Sequence, residues 1–301
     1  MVRNGPSKHL PQWQWWLRAT RPATLPLSTL PTAAGIAWAW RHGTLDWQAA
    51  VLTLTCAVLL QVLANFVNEL GDYTRGADTP ARLGPPRAVA VGAISPQAMA
   101  QASWILSGVI FLLGMLLVIR VGWWLLVVGL AALALAWLYT TGSRPLAYIG
   151  LGEGTAFVFF GIVPAAGAYA VQRGMVAIEP VISGIACGAF AAAVLGINNL
   201  RDLPIDRACG KRTLAVRLGP TAMVRLLHGL LAVPYAVAIG LSFVLPLASM
   251  AVVSMPMVWS VGLQLRAAEN AATYTQLLLR TVLAATVYGV LLIGAIVLSV
   301  S

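Results

Sequence analysis

The sequence predicts an all-α, polytopic membrane protein, and three observations lead there: composition, the length of the apolar runs, and the placement of charge. Of 301 residues, 59% are hydrophobic and 9% are charged, against roughly 25% charged in a soluble domain. Mean hydropathy is +0.84. The apolar runs recur at lengths that cross a hydrocarbon core of ~30 Å at 1.5 Å per residue. Lys and Arg concentrate in alternate loops. We read residues 1–301 as one membrane-embedded domain, with 1–20 as a cytoplasmic N-terminal segment.

Along the chain, Arg3, Lys8, Arg18 and Arg21 precede the first apolar run. No small-residue cleavage site follows, and Pro22, Pro26 and Pro31 interrupt the run, so it reads as a retained helix and not a removable signal. Trp13, Trp15 and Trp16 beside those charges suggest an interfacial anchor or an amphipathic lead-in. Nine spans follow, at 23–41, 47–70, 97–119, 122–140, 151–171, 178–200, 221–244, 246–264 and 276–299. Pro246 is nearly the only punctuation between the seventh and eighth.

Charge orients these spans. Arg3, Lys8, Arg18, Arg21, Arg75, Arg82, Arg87, Arg144, Arg201, Arg207, Lys211, Arg212, Arg217, Arg225, Arg266 and Arg280 fall on the N-terminal side, and Arg41, Arg120 and Arg173 on the other. Sixteen against three puts the N-terminus in the cytoplasm. The net charge of +10 therefore meets anionic headgroups or an anionic substrate at one membrane face. Without a soluble domain to carry a binding surface, nucleic acid is excluded as a partner. Cys56, Cys187 and Cys209 lack metal or redox spacing, and His9, His42 and His228 are dispersed.

The acids are the informative minority. Asp46 and Glu179 lie on the outer side; Glu69, Asp72, Asp78, Glu153, Asp202, Asp206 and Glu269 lie on the cytoplasmic side. Two stretches, NELGDYTRGAD (68–78) and NNLRDLPIDRACGKRTLAVRLG (198–219), begin with one spacing, Asn68-x3-Asp72 and Asn198-x3-Asp202. Residues four apart share a helix face, so each pair aims an amide and a carboxylate one way. Asp206 extends the second row, although Pro204 is expected to distort the helix there. Four predicted helices separate the rows, which returns both to one leaflet and suggests a duplicated four-helix unit with a ninth helix added, around a central cavity.

Carboxylates facing one another in a partly desolvated cavity repel, at a cost of up to ~3 kcal/mol each at the bilayer centre. Asp and Asn oxygens are hard ligands that suit Mg²⁺, which also takes phosphate oxygens from a substrate. Arg75, Arg82, Arg87, Arg207, Lys211 and Arg212 stand nearby to receive the remaining phosphate oxygens. The bland alternative is that these acids and bases merely pair and hold loops. A third loop, YTTGSRPLAYIGLGEG (139–154), offers Tyr139 or Tyr148 as a ring face for a cation. A transporter is disfavoured, because its ionisable residues would lie near the midplane.

Such clusters suit departure of a diphosphate from an allylic carbon, whose developing charge metal and Arg or Lys absorb. Enclosing a forty-carbon tail would imply ~30 kcal/mol, above the ~20 kcal/mol ceiling on affinity. The tail must therefore run into the bilayer through a lateral opening.

At these residues the chain resembles the intramembrane aromatic prenyltransferases of the UbiA superfamily. RPATLPL (21–27), LLQVLANFVNELGDYTRGADTPARLGPPRAV (59–89), the 139–154 loop, the 198–219 stretch and LLLRTVLAA (277–285) follow that pattern in order over nearly the full length. GADTPARLGPPR and GKRTLAVRLG are most similar to the branch that prenylates 1,4-dihydroxy-2-naphthoate. The resemblance implies a Mg²⁺-dependent enzyme of menaquinone biosynthesis in a bacterial cytoplasmic membrane, using a polyprenyl diphosphate and releasing CO₂ and diphosphate. Other acceptors of the superfamily, 4-hydroxybenzoate, homogentisate and haem, stay open.

Carried over by position, the resemblance implies that Asn68, Asp72, Asp202 and Asp206 hold metal and diphosphate. Asp78 closes the first motif as a further ligand, and Asn198 lines the second. Arg144 and Lys211 are implied diphosphate contacts, and Arg21 touches diphosphate or the acceptor carboxylate. Glu69 stands where relatives usually have Asp, its extra methylene setting it apart from direct metal contact. Ala81 replaces a common Asp, which frees Arg82 for substrate.

Overall fold

The structure, a computed structural model, describes residues 10–78 and 82–299; Arg3, Lys8, His9 and Ala81 lie outside the described residues. Every described element is helical. A short helix α1 (Gln12–Thr20) leads into α2 (Pro26–Arg41), α3 (Trp47–Thr74), α4 (Pro96–Val121), α5 (Trp124–Leu138), α6 (Gly152–Arg173) and α7 (Ile178–Ala208). After a five-residue α8 (Leu214–Leu218) come α9 (Pro220–Ser242), α10 (Pro246–Leu265) and α11 (Ala271–Leu298). Each predicted span coincides with a helix. Among the described residues, seven helices are long and apolar enough to cross a membrane. The other two, α2 and α5, have 16 and 15 residues, about 24 and 22 Å at 1.5 Å per residue.

Small residues decide which helix stands in the middle. In α7, Gly184, Ala186, Gly188, Ala189, Ala191, Ala192 and Ala193 are all buried, so neighbouring backbones approach closely, the usual basis of helix association in lipid. The main apolar core forms around it, with Phe190, Ile197, Leu227, Tyr288 and Leu292 buried. At the rim, α4 turns Trp104, Ile105, Leu112 and Ile119 outward, as lipid contact requires.

Helices α6 and α7 approach closely, as do α2 and α6 where Gly35 meets the Ala165 carbonyl. A Cβ on Gly161 would meet the backbone of Gly184 and Gly188, and one on Gly188 would meet the Phe157 carbonyl. At this contact α6 widens into a π turn over Val158–Ile162, a local insertion of the kind found at functional sites. Phe159 and Phe160 of that turn face the central cavity.

Helix α7 runs through Pro204 to Ala208, because losing one backbone hydrogen bond is tolerated where neighbouring groups hold the chain. Of the two readings of the tryptophans, the amphipathic lead-in describes α1, which buries one face and exposes the other. Trp13 is exposed, but Trp15 is buried with Phe66, Val89 and Ile94, and the Trp16 ring lies 5.6 Å from Phe66. Their role is to pin α1 onto α3 and the loop before α4.

That pinning fixes the hinge between α1 and α2. Asn65 Nδ2 donates to the Thr20 carbonyl at 2.9 Å, and Gln61 Nε2 to the Thr24 carbonyl at 2.7 Å. Arg21 between them has φ +53°, the one left-handed non-glycine among the described residues. On the opposite side, Asp46 caps α3 through the Ala49 N–H at 3.0 Å and pairs with Arg120 at 3.1 Å, which accounts for an acid far from the clusters.

Gly188→Leu is expected to lower the thermal midpoint of the detergent-solubilised protein, by an overpacking cost of at least ~3 kcal/mol because the obstacle is backbone. Gly167→Ala, whose Cβ meets no neighbour, should leave the midpoint unchanged or raise it. Differential scanning fluorimetry on the two variants makes the comparison.

Candidate active site

Both acidic rows lie on helices that reach one end of a common cavity of about 380 Å³. From α3 come Gln61, Asn65, Asn68 and Asp72, spaced four, three and four apart and therefore on one face. From α7 come Asn198 and Asn199. Below these polar groups the walls become apolar, with Leu60, Leu133, Phe159, Val194 and Leu195 among them. The cavity is thus polar at one end and greasy along its depth.

The two motifs meet through bases. Lys211 Nζ is 3.1 Å from Asp72 Oδ1 and 3.9 Å from an Asp206 oxygen, joining the first acidic row to the second. Arg82 repeats the link from the other side, pairing with Asp78 and lying 4.0 Å from Asp202. Tyr148 donates its hydroxyl to Asp72 at 3.0 Å. Its ring also lies close to two cations, with Arg75 at 5.0 Å and Lys211 at 5.1 Å from the centroid.

Burial and neighbouring charge shift these groups in different directions. Burial works against the charge of Lys211, but Asp72 and Asp206 outweigh it and hold the ammonium above its ordinary value. Burial pushes Asp78 up to about 6 despite Arg82. Burial also raises the Tyr148 phenol, with Asp72 adding to the effect, so it remains a donor. Arg21 is lowered by burial, which Glu69 opposes.

Glu69 is not turned toward the cavity. Its Oε1 accepts from the Val89 N–H at 2.9 Å and its Oε2 lies 4.0 Å from Arg87, so it holds the loop that follows the first motif. Arg87 also approaches Asp78 at 3.5 Å.

Of the sequence-predicted residues, Arg21, Asn68, Asp72, Arg82, Arg87, Tyr139, Asn198 and Lys211 line the cavity. Asp78, Asp202, Asp206 and Tyr148 join them through the contacts above. Arg144 does not: it is exposed and outside the cavity lining, because the turn at Gly142 points the next residues outward. Arg75 is also exposed and hydrogen-bonds the Gly142 carbonyl; Arg207 and Arg212 face outward as well.

Sequence reasoning counted Arg201 only as a topogenic charge. It is buried, grips Asp202 with two N–H groups at 2.8 Å each, and donates to Asn198 Oδ1 at 2.8 Å. Gly84, in the loop after the first motif, packs against its guanidinium where a side chain would collide. The glycine within LGPP and an arginine beside an acid were the signals for this pairing. Glu153 and Asn199, bonded at 3.0 Å, were also passed over as a pair.

Glu69, Asp72, Asp78, Asp202 and Asp206 are set against Arg21, Arg82, Arg87, Arg201 and Lys211, five acids and five bases. Asn68 Oδ1 and Asp206 Oδ2 are buried oxygens without a hydrogen-bond partner. Among the described residues, no three His, Cys, Asp or Glu side chains are grouped closely enough to hold a metal alone. These hard, partly unpaired oxygens fit Mg²⁺, which completes its shell with water and phosphate oxygens.

Residues 28–281 match the UbiA prenyltransferase family. The 1,4-dihydroxy-2-naphthoate octaprenyltransferase of Mycobacterium tuberculosis (strain ATCC 25618 / H37Rv) is 36% identical over 282 residues, 93% of this chain and 96% of that protein. The enzyme of the same name from Escherichia coli (strain K12) is 42% identical over 214 residues, 68% of this chain and 69% of that one. A UbiA homologue from Archaeoglobus fulgidus, solved bound to DMAPP and Mg²⁺, shares the fold at a TM-score of 0.62 and 14% identity, covering 92% of this chain and 98% of that chain.

Arg201→Met is expected to leave Asp202 with only the more distant Arg82 and to cost on the order of 3 kcal/mol of stability. Thermal unfolding in detergent, compared with Arg217→Met on the exposed face of α8, reads this out; only the Arg201 variant should lose stability.

Proposed function

The chain belongs to the UbiA prenyltransferase family, and from that premise we propose that it transfers a polyprenyl group from a polyprenyl diphosphate to 1,4-dihydroxy-2-naphthoate. CO₂ and diphosphate leave, and the product is the prenylated naphthohydroquinone, the reduced form of demethylmenaquinone, which a separate two-electron oxidation converts to the quinone. The observation that carries this reading is the meeting of both acidic motifs, through Lys211 and Arg82, at the polar end of one apolar cavity. The acceptor follows from the relatives, all the more because the Mycobacterium enzyme aligns over nearly the whole chain.

The balance of five acids and five bases supports a metal-dependent donor site. A diphosphate adds several negative charges to a cluster whose five bases are already matched by five acids, so it must bring compensating cations. When bound, Mg²⁺ would be held by Asn68, Asp72, Asp202 and Asp206, with Asp78 closing the first motif, and would neutralise charge on the departing diphosphate. Lys211, Arg82 and Arg87, which meet these acids in the structure, would then donate to the phosphate oxygens.

Tyr148 keeps Asp72 oriented throughout, and Asn198 holds the adjacent wall. Arg21 has a buried Nη2 without a partner and takes an anionic group, either diphosphate or the acceptor carboxylate. The ring carbon bearing the carboxylate supplies the electron pair for the new C–C bond, and the departing diphosphate keeps the pair of the broken C–O bond. Loss of CO₂ returns a pair to the ring and restores aromaticity.

Helices α5 and α6 both line the cavity without packing closely on each other, which supports exit of the tail toward lipid between them. The charge bias supports cytoplasmic placement of the N-terminus and of the acidic end, in a bacterial cytoplasmic membrane. The shorter helices α2 and α5 then complete nine crossings.

A paired assay tests the function: purified enzyme with polyprenyl diphosphate is offered dihydroxynaphthoate and 4-hydroxybenzoate, and products are identified by mass spectrometry. Prenylated naphthoquinol alone is expected; exclusive use of the benzoate would overturn the acceptor. Chelation of divalent ions should stop diphosphate release, and added Mg²⁺ should restore it. Asp72→Asn and Asp202→Asn should each lower turnover at least ~100-fold while the helical circular dichroism of the wild type is retained.

A further inference from the structure

Glu153 is a carboxylate for which the chemistry above has no use. It is 4% exposed, in the first turn of α6, and its Oε2 is buried without a hydrogen-bond partner. Among the described residues no Lys or Arg pairs with it. The N-terminal end of α6 offsets its charge, since helix amides and the macrodipole favour an anion there. Its one side-chain hydrogen bond among the described residues comes from Asn199, whose Nδ2 donates to Oε1 at 3.0 Å.

That contact fixes the direction of an amide. A carboxylate only accepts, so the Asn199 nitrogen must face Glu153 and the oxygen must face away. Asn199 is itself 7% exposed and lines the cavity, and among the described residues its Oδ1 makes no protein hydrogen bond. A carbonyl oxygen backed by an anion repels phosphate and attracts an O–H donor. It stands beside Asn198, where polar walls give way to Val194 and Leu195.

Resting on the naphthoate reading, we propose that Asn199 Oδ1 accepts a hydrogen bond from a ring hydroxyl of the acceptor, with Glu153 as the positioning residue that holds the amide in this orientation. Asn199 is then a specificity-determining contact on the acceptor side of the cavity. Accepting from the hydroxyl also leaves more electron density on the ring as it attacks.

Glu153→Gln is the informative change, because a glutamine of the same shape donates as well as accepts and lets the Asn199 amide turn its nitrogen to the ligand. The experiment measures kcat and KM for donor and acceptor in wild type, Glu153→Gln and Asn199→Ala. Acceptors are 1,4-dihydroxy-2-naphthoate and its two mono-O-methyl ethers, scored as competitive inhibitors where they do not turn over. Wild type should favour the free diol over one ether by about tenfold or more. In both variants the acceptor KM should rise about tenfold, the donor KM should stay unchanged, and the preference over the ether should collapse.

Wild-type acceptor KM and preference in both variants would overturn the proposal, as would donor and acceptor KM rising together. The ether comparison in the wild type needs no variant: equal binding of diol and both ethers overturns the contact even if a variant fails to fold. Turnover with equal use of an ether sinks this contact alone. A wild-type enzyme inert toward the dihydroxynaphthoate sinks the acceptor assignment, and this contact with it.

Discussion

Charge neutrality in a pocket that water barely reaches is the constraint on which the structure depends. Asp72 and Asp206 are nearly buried, and a buried carboxylate persists only where a cation or donors meet it. Lys211 and Arg82 satisfy acids from both motifs at once. The same contacts therefore neutralise the pocket and tie the first half of the chain to the second. A ligand that brings both negative charge and metal ions exchanges one neutral arrangement for another, which is how a buried ion-pair cluster serves as a binding site.

The packing of α7 gives that cluster its geometry. Alanine and glycine along its buried length let α6, α9 and α11 approach closely, and glycine is obligatory where Gly161 meets Gly184 and Gly188. Close approach sets the register between α6 and α7, so Glu153 meets Asn199 and not a residue one turn away. At the other end, α1 is pinned by Trp15, and Asn65 and Gln61 hold the hinge. Arg21 keeps its left-handed backbone there because the contacts on either side leave no other path. Packing in lipid and polar chemistry are separate in kind but fixed by the same few interfaces.

Much of the site was legible from local rules. Asn68 and Asp72, or Asn198 and Asp202, share a face because four residues nearly complete a turn, and helix parity returned both rows to one end. Arg144 shows where such rules stop. It follows a tyrosine-bearing loop as a diphosphate contact would, yet the turn at Gly142 faces it outward, and Lys211 and Tyr148 occupy the position beside Asp72. Arg201 shows the converse, a residue counted only for topology that proves to be the principal partner of Asp202.

The sequence by itself determined the membrane class, the helix positions, the two acidic rows and the side on which they gather, because each follows from composition or from a periodicity within one helix. Tertiary structure alone decided which base meets which acid, that Glu69 serves a loop, that Trp15 faces protein and that Asn199 donates to Glu153. The physical reason is range. Lys211 and Asp72 are 139 residues apart, and no spacing rule spans that distance; the pairing exists only because small side chains let particular backbones approach, and burial then requires each charge to find its partner.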